Sequence, residues 1–221
     1  MNRILAFEAV ERTGSACVWD DCEREFCRCA GQAEADLVPL LSDMLTRWAP
    51  VTALALAAGP GSFTGLRVAA LAARTLAWVE RLPVHQVDSL AACAAQQGDG
   101  VWWVLLPLKR DTTFHGLFRV SADRVETIVP TMPCLDQAQP VLPDVARNAV
   151  AIGPALRAKP GLAERWLAGV RLGDPAGPDA RGVARIARQV APSAWDQVLP
   201  QYHQQPAPVL QREAARRQLD A

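Results

Sequence analysis

Residues 52–58 (Thr52-Ala53-Leu54-Ala55-Leu56-Ala57-Ala58) form a run without a charge, followed at once by a glycine-rich turn and a long apolar helix. Such a run reads as a strand covered on both faces, the condition of a strand inside an α/β sheet. Gly59, Gly61 and Gly65 punctuate the turn. Residues 66–81 read as a helix whose Arg67, Arg74 and Arg81 recur every seven residues, giving one polar stripe. The rest of that helix is mostly Ala, Leu and Val. An apolar arc so wide signals burial without saying by what. It suits an internal core helix of this chain, and equally a helix that a second protein covers.

The flanking segments fit the same unit. Residues 3–7, 15–19 and 22–29 read as three strands separated by turns at Gly14 and at Asp20-Asp21, a three-stranded meander. Residues 33–48 place Leu37, Leu40, Leu41, Met44, Leu45 and Trp48 at helical spacing. Glu34 and Asp36 stand near the positive end of that helix, and Pro50 stops it. Residues 83–87 read as a strand, and Asp88-Ser89 cap a helix to about Gln96. The 97–100 stretch, Gln-Gly-Asp-Gly, reads as a boundary, so lobes of 1–100 and 101–210 are expected. Beyond it, residues 101–106, 114–120, 125–129 and 149–152 read as strands, and 161–168 and 181–190 as helices. Proline is dense from Pro130 to Pro178, which suggests a smaller, loop-rich lobe, and 211–221 reads as a mobile tail. No repeat of 20–50 residues stands out.

Composition excludes some classes. With 23 basic and 23 acidic residues the chain lacks the basic excess of a free-standing nucleic-acid binder, leaving only a local basic patch open. No segment reaches the roughly 20 apolar residues of a membrane span. The N-terminus meets Glu8 after a short apolar stretch, too short for a signal peptide. A cytoplasmic chain with reduced thiols is expected. Cys17, Cys22, Cys27 and Cys29 cluster, but without the paired C-x2-C spacing or nearby histidines of a zinc site. Cys27 and Cys29 are expected on one strand face as small apolar fillers. No metal is expected.

The 59–65 turn carries the functional information. A glycine turn between a buried strand and a helix can aim backbone N–H groups at an anion. Ser62 or Thr64 can instead cap the helix with no ligand present. A P-loop is excluded, because no Lys follows Thr64. Gly59, Gly61 and Gly65 give a loose variant of the dinucleotide fingerprint, with Asp88 where a ribose-binding acid would stand, so an ATP- or NAD-dependent enzyme is the rival reading. A serine protease is disfavoured, since no His–Asp arrangement accompanies Ser62 in the sequence.

The string Gly59-Pro60-Gly61-Ser62-Phe63-Thr64-Gly65-Leu66-Arg67 resembles the signature of the TsaB family, also called glycoprotease-like or M22-like. The N-terminal Ile4-Leu5-Ala6, the Ser15-Ala16-Cys17-Val18 strand, Leu37-Val38-Pro39-Leu40-Leu41 and Asp88-Ser89-Leu90 agree with it over about residues 1–95. Arg110 and the Pro200-x-Tyr202 pair look like later remnants. The resemblance implies an actin-like/Hsp70-like (ASKHA) nucleotidase fold of two α/β lobes, the second reduced. It implies a non-catalytic dimerisation subunit of the complex that forms N6-threonylcarbamoyladenosine in tRNA. The implied partners are a TsaD-like catalytic subunit and a TsaE-like ATPase, with a homodimer when alone and tRNA met only through the complex. No cofactor is implied. Its partner surface would be built on the helices at 33–48 and 66–81, with Leu37, Leu41, Leu66, Ala69, Ala70, Ala73, Arg74 and Ala77 as contact residues.

The chain departs from the family's pattern in three places. Glu8-Ala9-Val10 stands where the family's first strand runs into Asp-Thr-Ser, and Gly31-Gln32-Ala33-Glu34 where a His-Ser/Thr often precedes the first helix. The metal-binding His pair of the catalytic sibling has no counterpart, because His85, His115 and His203 are single and far apart.

Overall fold

The computed structural model describes residues 3–122 and 124–202. The expected tail from Gln211, and His203, lie outside the described residues. The chain opens with β1 (Ile4–Glu8), β2 (Ser15–Trp19) and β3 (Glu23–Arg28), the meander expected from the turn residues. Then come α1 (Ala33–Arg47), β4 (Ala53–Gly59), α2 (Phe63–Glu80), β5 (Val84–Asp88) and α3 (Ser89–Ala95). The second half holds β6 (Gly100–Lys109), β7 (Thr112–Ser121), β8 (Arg124–Leu135), β9 (Val150–Ile152), α4 (Ala155–Ala158), α5 (Leu162–Trp166), β10 (Arg171–Leu172), α6 (Ala180–Ile186) and β11 (Pro192–Ser193).

Two sheets result. One has the order β11-β5-β4-β1-β2-β3 and the other β10-β9-β6-β7-β8. In each, an antiparallel meander (β1-β2-β3, β6-β7-β8) meets a parallel strand (β4, β9) beside its first member. The topology is thus duplicated although the sequence shows no repeat. The second copy is reduced: a short 3-10 turn at Asp144–Asn148 stands between β8 and β9 where α1 has 15 residues, and α4 and α5, of 4 and 5 residues, stand between β9 and β10 where α2 has 18.

The layers follow from where apolar faces are buried. The buried faces of α1 and α2 meet Leu5, Phe7, Leu54 and Leu56 on one side of the first sheet. Trp103, Leu105 and Leu117 of the second sheet meet Leu162 and Trp166 of α5. Between the sheets lie α3 and α6, in a shared core with Ile4, Ala6, Val104 and Phe118. Every residue of α3 is buried, which its Ala-rich sequence permits. Asp88 caps it as expected, its Oδ1 accepting from the Leu90 and Ala91 N–H groups at 2.8 Å. No helix among the described residues is long and apolar enough to cross a membrane.

The loop-rich expectation for 130–178 is corrected at its start, where Pro130 and Pro133 lie inside the twelve-residue strand β8. β8 is an edge strand, where proline's missing N–H need not break a ladder.

Candidate functional site

Three segments meet around the glycine motif: the end of β1, the start of α2 and the chain at 195–202. Gly59 ends β4 with φ of 141°, a region that favours glycine, and its α-carbon abuts the Gln201 carbonyl. The Gln201 N–H in turn donates to the Ala58 carbonyl at 2.8 Å. Gly61 packs on Val10, and Ser62 N–H donates to the Val10 carbonyl at 2.8 Å. Ser62 is the N-cap of α2, its Oγ accepting from the Gly65 N–H at 3.3 Å. Gly65 is buried directly on the Ala9 carbonyl. The turn is therefore filled by the protein's own backbone, and Ser62 serves as a cap.

Phe63, Thr64 and Arg67 point outward. The Phe63 ring lies 5.2 Å from that of Tyr202. The Arg67 guanidinium lies 3.8 Å from the Phe63 centroid, and its Nε donates to the Tyr202 hydroxyl at 3.0 Å. The motif and Pro200-x-Tyr202, far apart in sequence, form one cluster.

The residues expected to meet a partner are mostly turned inward. Leu37, Leu41, Leu66, Ala69, Ala70, Ala73 and Ala77 are buried within the chain, so none of these is open to a partner; only Arg74 reaches the surface. The physical reason is that small side chains let α2 approach its own sheet and α1 closely. The surface side of α2 instead carries large apolar residues, Leu71 being 67% exposed and Val79 59%, while on α1 Val38, 53% exposed, stands among polar residues such as Glu34, Ser42 and Asp43. Leu71, Thr75, Trp78 and Val79 recur at helical spacing opposite the alanines. That opposition, the bulkiest side chains facing the smallest, was the signal that could have found them.

Glu8 is the residue whose environment was not foreseen. It is fully buried. Ser15 Oγ donates to its Oε1 at 2.6 Å and the Val10 N–H to its Oε2 at 2.9 Å. Ser15 Oγ accepts from the N–H of Ala180, the first residue of α6, at 3.0 Å. Buried Asp179 caps α6 and is held by Arg181 at 2.6 Å and Arg28 at 3.5 Å. Burial pushes the Glu8 carboxyl up to about 7 from its ordinary 4.5. His115 is also buried, and burial lowers it from 6.5 to about 4.

These two groups oppose each other. As pH rises from 4.5 to about 7, the unfolded chain ionises Glu8 while the folded chain keeps its proton, so about 3 kcal/mol of stability is lost. As pH rises from about 4 to 6.5, the unfolded chain releases the His115 proton that the folded chain does not hold, and a similar amount is gained. Glu8→Gln removes only the first effect. Its stability relative to wild type should therefore rise by about 3 kcal/mol between pH 4.5 and about 8, measured by urea unfolding. A difference that stays constant across that range would contradict the buried, protonated Glu8.

Of the clustered cysteines, Cys17 and Cys29 are buried, Cys27 is half-buried and Cys22 exposed. Cys27 and Cys29 pack against the same core, and burial pushes the Cys17 thiol up to about 12. Among the described residues no three metal-ligating side chains converge.

An actin-like, two-lobed α/β protein whose motif turn is closed by its own backbone is the class these features define. Residues 37–101 match the family model described as "TsaD: tRNA N6-adenosine threonylcarbamoyltransferase". The tRNA threonylcarbamoyladenosine biosynthesis protein TsaB of Bacillus subtilis (strain 168) is 32% identical over 93 residues, 41% of this chain and 41% of that protein. The protein of the same name from Escherichia coli (strain K12) is 32% identical over 106 residues, 45% of this chain and 44% of that protein. The match spans less than half the length of these curated relatives. Among solved structures, YeaZ from Pseudomonas aeruginosa superposes with a TM-score of 0.80 at 22% identity, over 91% of this chain and 100% of that one. A second, described as an uncharacterized protein with similarity to peptidase YEAZ from Pseudomonas aeruginosa, gives 0.77 at 21%, over 92% and 100%. The chain is thus similar in sequence to TsaB proteins over less than half of its length, and shares its fold with YeaZ.

Proposed function

We propose that this chain is a non-catalytic scaffold subunit of the complex that forms N6-threonylcarbamoyladenosine beside the tRNA anticodon, and that it acts by binding a TsaD-like catalytic subunit. The observation that carries this reading is the set of large apolar side chains exposed on α2, Leu71 and Val79, together with Val38 on α1, on a chain whose relatives bear the TsaB name. Large apolar side chains gathered on one exposed helix face, as Leu71, Trp78 and Val79 are, mark an interaction site. The same surface serves for a homodimer when the catalytic subunit is absent, and a TsaE-like ATPase completes the assembly.

The groups that would do chemistry in a nucleotide enzyme have other duties. Ser62 and Asp88 cap helices, Glu8 is enclosed beneath α6, and the turn at 59–65 holds the chain's own carbonyls. Those placements favour a scaffold over an ATP- or NAD-dependent enzyme. Depleting the chain in its own cell should lower the threonylcarbamoyladenosine content of bulk tRNA, measured by mass spectrometry of digested nucleosides. Unchanged content would sink the reading.

A further inference from the structure

The flank of α2 turned toward the 195–202 segment carries the three arginines at seven-residue spacing, and each has an aromatic neighbour. Arg67 lies over Phe63 and bonds Tyr202. Arg74 lies 5.9 Å from the Trp195 ring. Arg81, the exposed C-cap of α2, borders a groove of about 610 Å³ with Trp78, Leu82, Pro83, Pro192 and Trp195. The Trp78 and Trp195 rings are 6.5 Å apart, and both are exposed. Among the described residues none of the three arginines has a carboxylate partner, although Glu80 adjoins Arg81 and Asp196 adjoins Trp195 in sequence. Arg28, Arg47, Arg157, Arg181 and Arg188 by contrast pair with acids, while Arg165, Arg171 and Arg185 bond backbone carbonyls; what sets the three α2 arginines apart is their shared line and their aromatic neighbours.

We propose that this flank is a track for a single RNA strand, with Arg67, Arg74 and Arg81 receiving phosphates and the exposed Trp78 and Trp195 rings receiving bases. Arginines without a carboxylate partner, spread over about 21 Å of helix, call for a polyanion rather than a single ion. Exposed indoles interleaved with them call for planar, apolar partners on the same chain. A single strand supplies both: every base has a face to stack on an aromatic ring, and the backbone supplies the charge. A duplex hides those faces. A net charge of zero is compatible with this, because the positive charge is local. The track borders the face assigned to the protein partner, since Trp78 shares the side of α2 that carries Leu71 and Val79, and it is tested on the chain alone.

The test uses the purified full chain and a fluorescein-labelled uridine oligomer of roughly 12 nucleotides, within the range such tracks cover. Fluorescence anisotropy should show binding whose logarithm falls with the logarithm of salt with a slope of about −2, the value for three phosphate contacts. The triple substitution Arg67→Gln, Arg74→Gln, Arg81→Gln should remove that slope and weaken binding at least tenfold, and Trp78→Ser should weaken it by about tenfold with the slope retained. Circular dichroism checks that each variant is folded. Equal binding of inorganic polyphosphate or of duplex RNA would overturn the stacking part. Undetectable binding of the oligomer, or binding untouched by the triple substitution, would overturn the whole. Loss of association with a protein partner in the triple variant while RNA binding persists would also overturn it, since the flank would then be a protein interface. None of these outcomes depends on whether tRNA modification needs the chain.

Discussion

Gly65→Ala should lower the melting temperature by roughly 6–12 °C, although it adds one methyl group and alanine is otherwise the better helix former. A Cβ at this position would run into the Ala9 carbonyl oxygen and lie 3.1 Å from the carbonyl carbon. Both are backbone atoms of a fully buried residue just beyond β1, so no side-chain rotation relieves the clash. Overpacking of this kind costs about 3 kcal/mol, and in a chain of this length each kcal/mol moves the midpoint by about 2–4 °C. Gly98→Ala is the control: a Cβ there meets nothing within 4 Å, and its effect should stay within about 0.5 kcal/mol. Thermal unfolding followed by circular dichroism compares them. An unchanged midpoint for Gly65→Ala would mean that the motif's glycine is not held for close approach to β1.

This expectation differs from an anion-binding role, and the difference shows where sequence and structure part. The first-lobe elements were legible because each has a local signal: apolar runs for β1 and β4, turn residues between β1, β2 and β3, an aspartate cap for α3. The direction in which α2 turns was not legible. Apolar periodicity reports that a helix is buried, and the alanines that invited a partner reading pack against the chain's own sheet. The joining of Tyr202 to Phe63 and Arg67 depends on the return of the chain through α6 and β11, for which local sequence has no marker. In the second half, β8 passes through Pro130 and Pro133 because an edge strand tolerates them, so a proline-rich stretch hid a long strand. The duplicated topology left no repeat in the sequence because in the second copy a short turn at Asp144–Asn148 replaces α1 and the two short helices α4 and α5 replace α2.

Leu71→Glu should abolish partner binding and leave the fold intact. Leu71 is 67% exposed, so a carboxylate there remains in water in the free chain and should change stability by no more than about 0.5 kcal/mol. Enclosed by a partner, the same charge would lose its water without a counter-ion, and a penalty of about 3 kcal/mol weakens association roughly a hundredfold. Ala73→Glu is the contrasting variant. Ala73 is fully buried, so a glutamate there should unfold the protein instead of uncoupling it. The two positions are two residues apart on one helix, and their opposite outcomes distinguish the outward face from the inward one.

The central claim is that the chain pairs with a TsaD-like subunit through the outward face of α1 and α2. Its most direct test is size-exclusion chromatography of the tagged chain co-expressed with the TsaD-like protein of the same cell. One co-eluting species is predicted for the wild type, with two separate, folded species for Leu71→Glu. Separate elution of the wild type, or co-elution that Leu71→Glu leaves unchanged, would contradict it.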